Sequence, residues 1–384
     1  MIEGTIKYNE GTLLLGKKKY SRALRCFKEA IALGSDNLPE LWLNLGNVHK
    51  ANNDFAAAGD CYAKAVNLRP GYKLAQNNLG LVYHGMGRDS DALELYNLCE
   101  TKNAGYLDVK WNKSLHLMRA ASQTNNGWLE AYNYYNTRFM KESQPVKVKL
   151  DFGALPIWDG VATGRVVVVA EQGAGDLIQF ARFVRRDGSM AMQCDATLAP
   201  FLREAFGPLV EVAEYFDWKE FDYWIPICSL GQFSSLSGAP WVSIEDMPYS
   251  YDFGYVWHGN PSHANDHNRS TTLGRFKQLS KGLSTRSFQF GEAGFDKKPL
   301  VLRDYLDTAL ELKKCRRLIT VDTSIAHLAG SIGVETWVLL PEFDVDWRWG
   351  SSGSTSTWYD SVRLFRNTHG WHSLFEDVKK ELNK

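Results

Sequence analysis

Two short polar turns in this chain carry residue types suited to chemistry. The first is Asp322-Thr323-Ser324, set between the β-branched run Leu318 to Val321 and a small-residue stretch from Ile325 to Gly333. That order reads as a buried strand feeding a helix whose N-cap is polar. Such a helix start offers backbone N–H groups and the positive end of the dipole, so it holds a diphosphate without a metal. The second is Gln172-Gly173-Ala174-Gly175-Asp176, which follows Arg165 to Ala170 in the same strand-to-helix arrangement. A carboxylate at the mouth of that turn can take a proton from an attacking hydroxyl. Each turn also has a plain structural reading, in which Asp322 to Ser324 cap a helix and Asp176 answers its dipole.

Other candidates are weaker. The Gly-x-Gly of residues 173–175 lacks the third glycine of a dinucleotide loop and the Gly-Lys-Ser/Thr of a P-loop. His258, His263 and His267 match no zinc ligand spacing and have no cysteine beside them. Asp344-Val-Asp346 has the spacing of a divalent-metal pair, but a helix dipole with basic groups can do the same work. Trp347, Arg348, Trp349 and Trp358 either wall a sugar or base pocket or pack two lobes together.

The elements that must position these turns alternate. Strands are expected at 165–170, 189–194, 209–212 and 221–227, with a helix at 198–206 and a short helix or loop at 229–237. A second series follows, with strands at 253–258, 287–290, 318–321 and 336–340 and an edge strand at 364–366. Helices are expected there at 273–281, 302–314, 325–331 and 372–382. Two parallel-sheet lobes, at 165–250 and 251–384, are the simplest arrangement. The loop from Ser262 to Ser270 lies at a strand end, where ligand contacts collect, and supplies Arg269, a forked donor for diphosphate.

Before the lobes comes a repeat. Trp42, Leu45, Gly46, Ala58, Tyr62, Ala65 and Pro70 stand at tetratricopeptide spacings. A shift of 34 gives Leu79, Gly80, Tyr83, Ala92 and Tyr96, and a weaker unit precedes at Gly11, Ala23, Phe27 and Ala30. A degenerate fourth unit runs from Trp111 to Phe139, so residues 1–141 form an all-α array and 142–164 a linker. Small residues let paired helices approach while aromatics fill the gaps. The array either binds peptide or protein or serves as a rigid mount.

Composition sets outer limits. With 44% hydrophobic and 13% aromatic residues the chain is globular, and its 44 basic and 44 acidic residues cancel. Residues 1–150 carry 20 basic against 14 acidic residues, a mild asymmetry that does not make a nucleic-acid binder. The six cysteines form no C-x-x-C pair and suit a reducing cytoplasm. No apolar run reaches membrane-spanning length, and the first residues lack the basic-then-apolar pattern expected of a signal peptide.

Over nearly its whole length the chain resembles tetratricopeptide proteins fused to a glycosyltransferase domain related to the ADP-heptose–lipopolysaccharide heptosyltransferases, of the two-lobed GT-B fold. The resemblance rests on Trp111-Asn, Gly127-Trp, Ala170-Glu-Gln-Gly-Ala-Gly-Asp-Leu-Ile-Gln-Phe-Ala-Arg182 and Trp257-His-Gly-Asn-Pro261 with Asn265, Asp266 and Asn268-Arg-Ser270. Val321 to Gly330, Trp337 to Pro341, Asp346 to Trp349 and Trp358-Tyr359 complete it. It implies an inverting, metal-independent sugar transfer with no cofactor beyond the nucleotide-diphospho-sugar donor. Asp176 takes the place of the general base, and Gln172, Gly173, Gly175 and Gln179 that of the acceptor-side loop. Asn260, Arg269, Asp322, Thr323, Ser324, His327 and Trp347 take the donor side. The acceptor is left open among glycan, protein and nucleobase, and a non-catalytic scaffold with a vestigial nucleotide-binding domain is the alternative.

Overall fold

A computed structural model of the chain describes residues 2–140, 155–263, 265–292, 294–295 and 300–384, so the first part of the expected linker, 142–154, lies outside them. The chain divides into two compact units, Met1–Leu117 with Asn133–Lys141 and Met118–Tyr132 with Glu142–Lys384. The division falls inside the degenerate fourth helix pair rather than after it.

The first unit is helical. Its elements are α1 (Ile2–Gly16), α2 (Tyr20–Ala30), α3 (Pro39–Ala51), α4 (Phe55–Leu68), α5 (Lys73–Gly85) and α6 (Asp89–Lys102), and α7 (Leu107–Thr124) and α8 (Trp128–Tyr135) run across the division. Pro39 opens α3, where its missing N–H costs nothing. Asp54 caps α4 by accepting from Ala57 N at 3.2 Å. The repeat period has a packing cause. Gly11, Gly46 and Gly80 each face the ring of the partner helix, Phe27, Tyr62 and Tyr96, and a Cβ on them would lie 2.7, 2.5 and 2.6 Å from it. The three rings are fully buried, so each pair approaches as closely as a glycine allows.

The second unit is α/β. β1 (Val166–Val169), β2 (Met190–Gln193), β3 (Glu211–Ala213) and β4 (Tyr223–Pro226) form one sheet in the order β3-β2-β1-β4. β5 (Phe253–Val256), β6 (Thr285–Ser287), β7 (Arg317–Val321), β8 (Glu335–Leu340) and β9 (Val362–Arg366) form a second in the order β6-β5-β7-β8-β9. Every pairing within them is parallel. Their helices are α9 (Ala174–Phe180), α10 (Ala199–Phe206), α11 (Asp266–Arg269), α12 (Leu273–Leu279), α13 (Tyr305–Leu312), α14 (Ser324–Ser331) and α15 (Gly370–Leu382). The four valines of β1 are buried, as a sheet covered on both faces requires. The second sheet buries Phe253, Tyr255, Trp257, Ile319, Val321, Trp337 and Leu339 against Phe276, Leu374 and Phe375.

Sequence and structure differ most at β6, expected at 287–290 and found two residues earlier. Phe290 is 92% exposed, so apolar character there does not mark a strand. The short helix or loop expected at 229–237 is a 3-10 turn, Ile227–Phe233, that begins two residues earlier.

An aromatic cluster joins the two sheets. Trp358 lies edge-on to Phe180, Phe183 and Trp347, and Trp128 adds an edge at 5.5 Å. The Trp358 indole N–H donates to Ser122 Oγ at 2.8 Å, and Arg182 donates to the carbonyls of Trp358 and Ser237. All six cysteines are buried and unbridged. Among the described residues no helix is long and apolar enough to cross a membrane.

Candidate active site

The two polar turns face one another. α9 starts directly after β1, α14 directly after β7, and they meet at Gly175: a Cβ there would lie 2.9 Å from His327 Cδ2 and 3.4 Å from Ser324 Cα. Gly175 therefore serves close helix approach rather than turn geometry. The left-handed residue of the turn is Gln172, at φ +60°, while Gly173 is extended at φ −102°. A non-glycine residue in that region is strained, a feature that collects at functional turns.

At this meeting point the side chains are charged. Asp176 caps its own helix by accepting from Gly173 N at 2.9 Å and pairs with Arg348 Nη2. Burial pushes its carboxyl above the usual carboxylate range, against the pull of the Arg348 charge. Arg348 is held on its other edges by Asp346 Oδ1 at 3.0 Å and by Gln179 Oε1. Burial raises the Asp346 carboxyl as well, but Arg348 wins and holds it below its ordinary value. Asp322 is shifted the other way: burial first and the neighbouring Asp346 second push it up to about 6, against Arg269 and the Trp349 indole.

His327 is buried 5.1 Å from Trp349 in a stacked arrangement, and its Nδ1 lies 3.0 Å from Tyr359 Oη. Burial and then the Arg348 charge drop its pKa to about 3, so the ring is neutral at physiological pH. Thr323 Oγ1 lies 3.3 Å from Thr320 Oγ1, and Ser324 Oγ lies 3.0 Å from Tyr305 Oη. No side chain caps α14. The α9 start is closed by its own carboxylate, and the α14 start is not.

Of the expected residues, the structure brings Asp176, Gly175, Asp322, Ser324, His327 and Arg269 together, the last close enough to Asp322 to stabilise its charge. Gly173 belongs to the Asp176 cap. Gln172 and Asn260 are exposed, and Asn260 Oδ1 accepts from Ser262 N at 3.0 Å. Three of the expected residues are buried. Gln179 is fully buried and its Oε1 accepts from Arg348. Trp347 is 5% exposed, tucked among Phe180, Trp358 and the Arg348 guanidinium. His327 packs against Gly175 and Trp349 beneath the Asp322-to-Ser324 turn.

Two residues were undervalued by sequence. Arg348 is the hub of the cluster, and no motif marks an arginine between two tryptophans. His263, discounted with its neighbours as a metal ligand, faces the cluster: burial and then Arg269 lower its pKa, while Asp346, Asp266 and Asp176 oppose. The polar loop's position after β5 was the available signal.

Comparison with known proteins bears on the helical unit. A tetratricopeptide repeat family model matches residues 8–72 and 43–105. The chain is 26% identical over 132 residues to the photosystem I assembly protein Ycf3 of Synechococcus elongatus, spanning 34% of this chain and 72% of that protein. To the Ycf3 of Rippkaea orientalis it is 28% identical over 141 residues, spanning 34% and 73%. Among solved structures it is similar to MamA, at 22% identity, covering 36% of this chain and 78% of that one with a TM-score of 0.32. It is also similar to YrrB, described as a tetratricopeptide protein with an unusual peptide-binding site, at 21% identity, 34% and 66% coverage and a TM-score of 0.32. Residues 8–105 are therefore tetratricopeptide repeats, and the region beyond them is an α/β fold with two parallel sheets.

Proposed function

We propose that the α/β unit is an inverting glycosyltransferase of the GT-B type, moving a sugar from a nucleotide-diphospho-sugar to an acceptor hydroxyl without a metal, and that the repeats recruit the acceptor or a protein partner. The observation that carries this reading is the convergence of two helix starts at Gly175, one presenting a carboxylate and the other an uncapped, dipole-positive turn flanked by Arg269. In this scheme the acceptor oxygen attacks the anomeric carbon as its proton passes to Asp176. The bond from that carbon to the diphosphate oxygen breaks, and the departing charge is taken up by the Asp322-to-Ser324 turn and Arg269. Burial makes Asp176 a stronger base than a surface carboxylate. It acts only after Arg348 releases it, so donor entry must turn the guanidinium toward phosphate. Asp346 is engaged by that same arginine, which leaves charge compensation to cations of the protein.

A donor-hydrolysis screen with ADP-, UDP- and GDP-sugars, with mass detection of the released nucleotide, tests the reading. Hydrolysis of one donor class that falls sharply in Asp176→Asn while calorimetric donor binding persists supports it. Full turnover in that variant would remove Asp176 from the mechanism. One observation favours a second reading, a scaffold that binds through its repeats: the Asp176–Arg348–Asp346 network already satisfies its own charges. Absence of heat with every nucleotide-sugar, alongside a peptide partner on the repeats, would favour the scaffold.

A further inference from the structure

Outside the α/β unit the repeats hold a second cluster. His84 sits in the last turn of α5, Asp89 begins α6 and His116 lies on α7, all within the first unit. One potential ligand atom from each, the histidine ring nitrogens and a carboxylate oxygen, lie within 4.8 Å of one another, the one such trio among the described residues. His84 Nδ1 is 4.0 Å and His116 Nδ1 3.7 Å from Asp89 Oδ1. Both imidazoles are buried, with side chains 7% and 5% exposed, while the carboxylate is 31% exposed and keeps one side open to water. Their rings stand edge to face at 5.8 Å, and Tyr96 packs edge-on against His116 at 6.3 Å, so the ring planes are set by the packing.

The array supplies its own control. The same His-x4-Asp step occurs 35 residues earlier as His49 and Asp54. There the two are directly bonded at 3.1 Å and, among the described residues, no second histidine joins them. In the later repeat the step has opened to 4.0 Å and His116 has entered. Tetrahedral zinc with N and O ligands at about 2.0–2.2 Å needs donors about 3.4 Å apart. Bound zinc would draw the later trio to that spacing, by rotation of Asp89 together with small side-chain shifts of the two histidines. Two imidazoles and a carboxylate are borderline donors that favour zinc over calcium or magnesium, and the exposed side leaves the fourth position to water.

We propose that His84, Asp89 and His116 form a zinc site between the third repeat and the degenerate fourth, joining three successive helices. The site is independent of the sugar-transfer reading. Its test uses the full chain, stripped with a chelator and titrated calorimetrically with zinc sulfate. Expected are one ion per chain at micromolar affinity or tighter, a thermal midpoint that rises with zinc, and visible ligand-field absorption when cobalt(II) replaces zinc. Changing His84 and His116 together to Gln should weaken binding at least 100-fold and remove the cobalt bands, with far-ultraviolet dichroism unchanged. Asp89→Asn, at the exposed side, should weaken it at least tenfold and serves if the double variant does not fold. A control with the exposed His369 and His372 changed to Gln should bind as wild type does. Lack of zinc heat in the wild type, or undiminished binding in folded Asp89→Asn, would overturn the proposal.

Discussion

The repeats and the α/β unit use the same device and fill it with opposite chemistry. In each, a glycine lets two helices meet more closely than any side chain would permit. At Gly11, Gly46 and Gly80 the partner is a buried aromatic ring, and the approach produces only apolar contact. At Gly175 the partner is the start of a second helix, and the approach concentrates three carboxylates, two guanidiniums and a neutral imidazole in one place. The first arrangement is what stability asks for. The second costs desolvation of charge that stability alone does not explain, which is why the chemistry is sought there.

The largest test of that contrast is Asp176→Asn. If the concentrated charge is catalytic, donor turnover should fall about 100- to 10,000-fold, the usual range for losing a general base. A fall below tenfold would make the α/β contact as structural as the repeat contacts. Next come the glycines. Gly46→Ala, Gly80→Ala and Gly175→Ala should each destabilise by about 1–3 kcal/mol through overpacking, read from urea midpoints. Gly175→Ala should also weaken donor affinity, and the repeat variants should not.

Titration sharpens the α/β side of the comparison. The folded Asp322 carboxyl, at about 6, lies above its unfolded value, so its protonated form favours folding and that contribution is lost as pH rises from about 4 to about 6. Folded His327, at about 3, lies below its unfolded value, so its contribution is lost as pH falls from about 6.5 toward 3. Asp322→Asn should flatten the rising-pH loss, and its difference from wild type across pH 4–7 should vanish at pH 3.5. Anion affinity at the α14 turn should also rise as pH drops below 6, and that dependence should disappear in Asp322→Asn. The smallest expected effect is Gly173→Ala. Its nearest neighbour would be Asp176 Oδ2 at 3.4 Å and its φ is ordinary, so a change under about 1 kcal/mol is expected.

The repeats were legible because their period is a packing rule, so the glycine and the ring announce one another at fixed spacing. The sheets were legible too, since runs such as 166–169 and 318–321 have nowhere to go but a covered strand. Within the site, the two turns could be read because helix-start residues are local signals. What could not be read was their use of neighbours distant in sequence. Arg348 reaches back to Asp176 across the sheets, Gln179 turns inward to hold it, and Trp347 is taken up by an aromatic cluster that only the three-dimensional arrangement assembles. Gly175 serves the close approach of two helices, while the left-handed residue of the turn is Gln172. The trio of His84, Asp89 and His116 was missed because its members stand 5 and 27 residues apart and match no local metal motif.

The sulfur distribution gives the molecule a built-in clock for local opening. Cys26, Cys61 and Cys99 report on the helical unit and Cys194, Cys228 and Cys315 on the sheets, three thiols apiece, all shielded in the native fold. An alkylating reagent added to the native protein modifies each only as fast as its surroundings open. Peptide mapping of the modified sulfurs would therefore rank the two regions by opening free energy in a single experiment, with no label introduced.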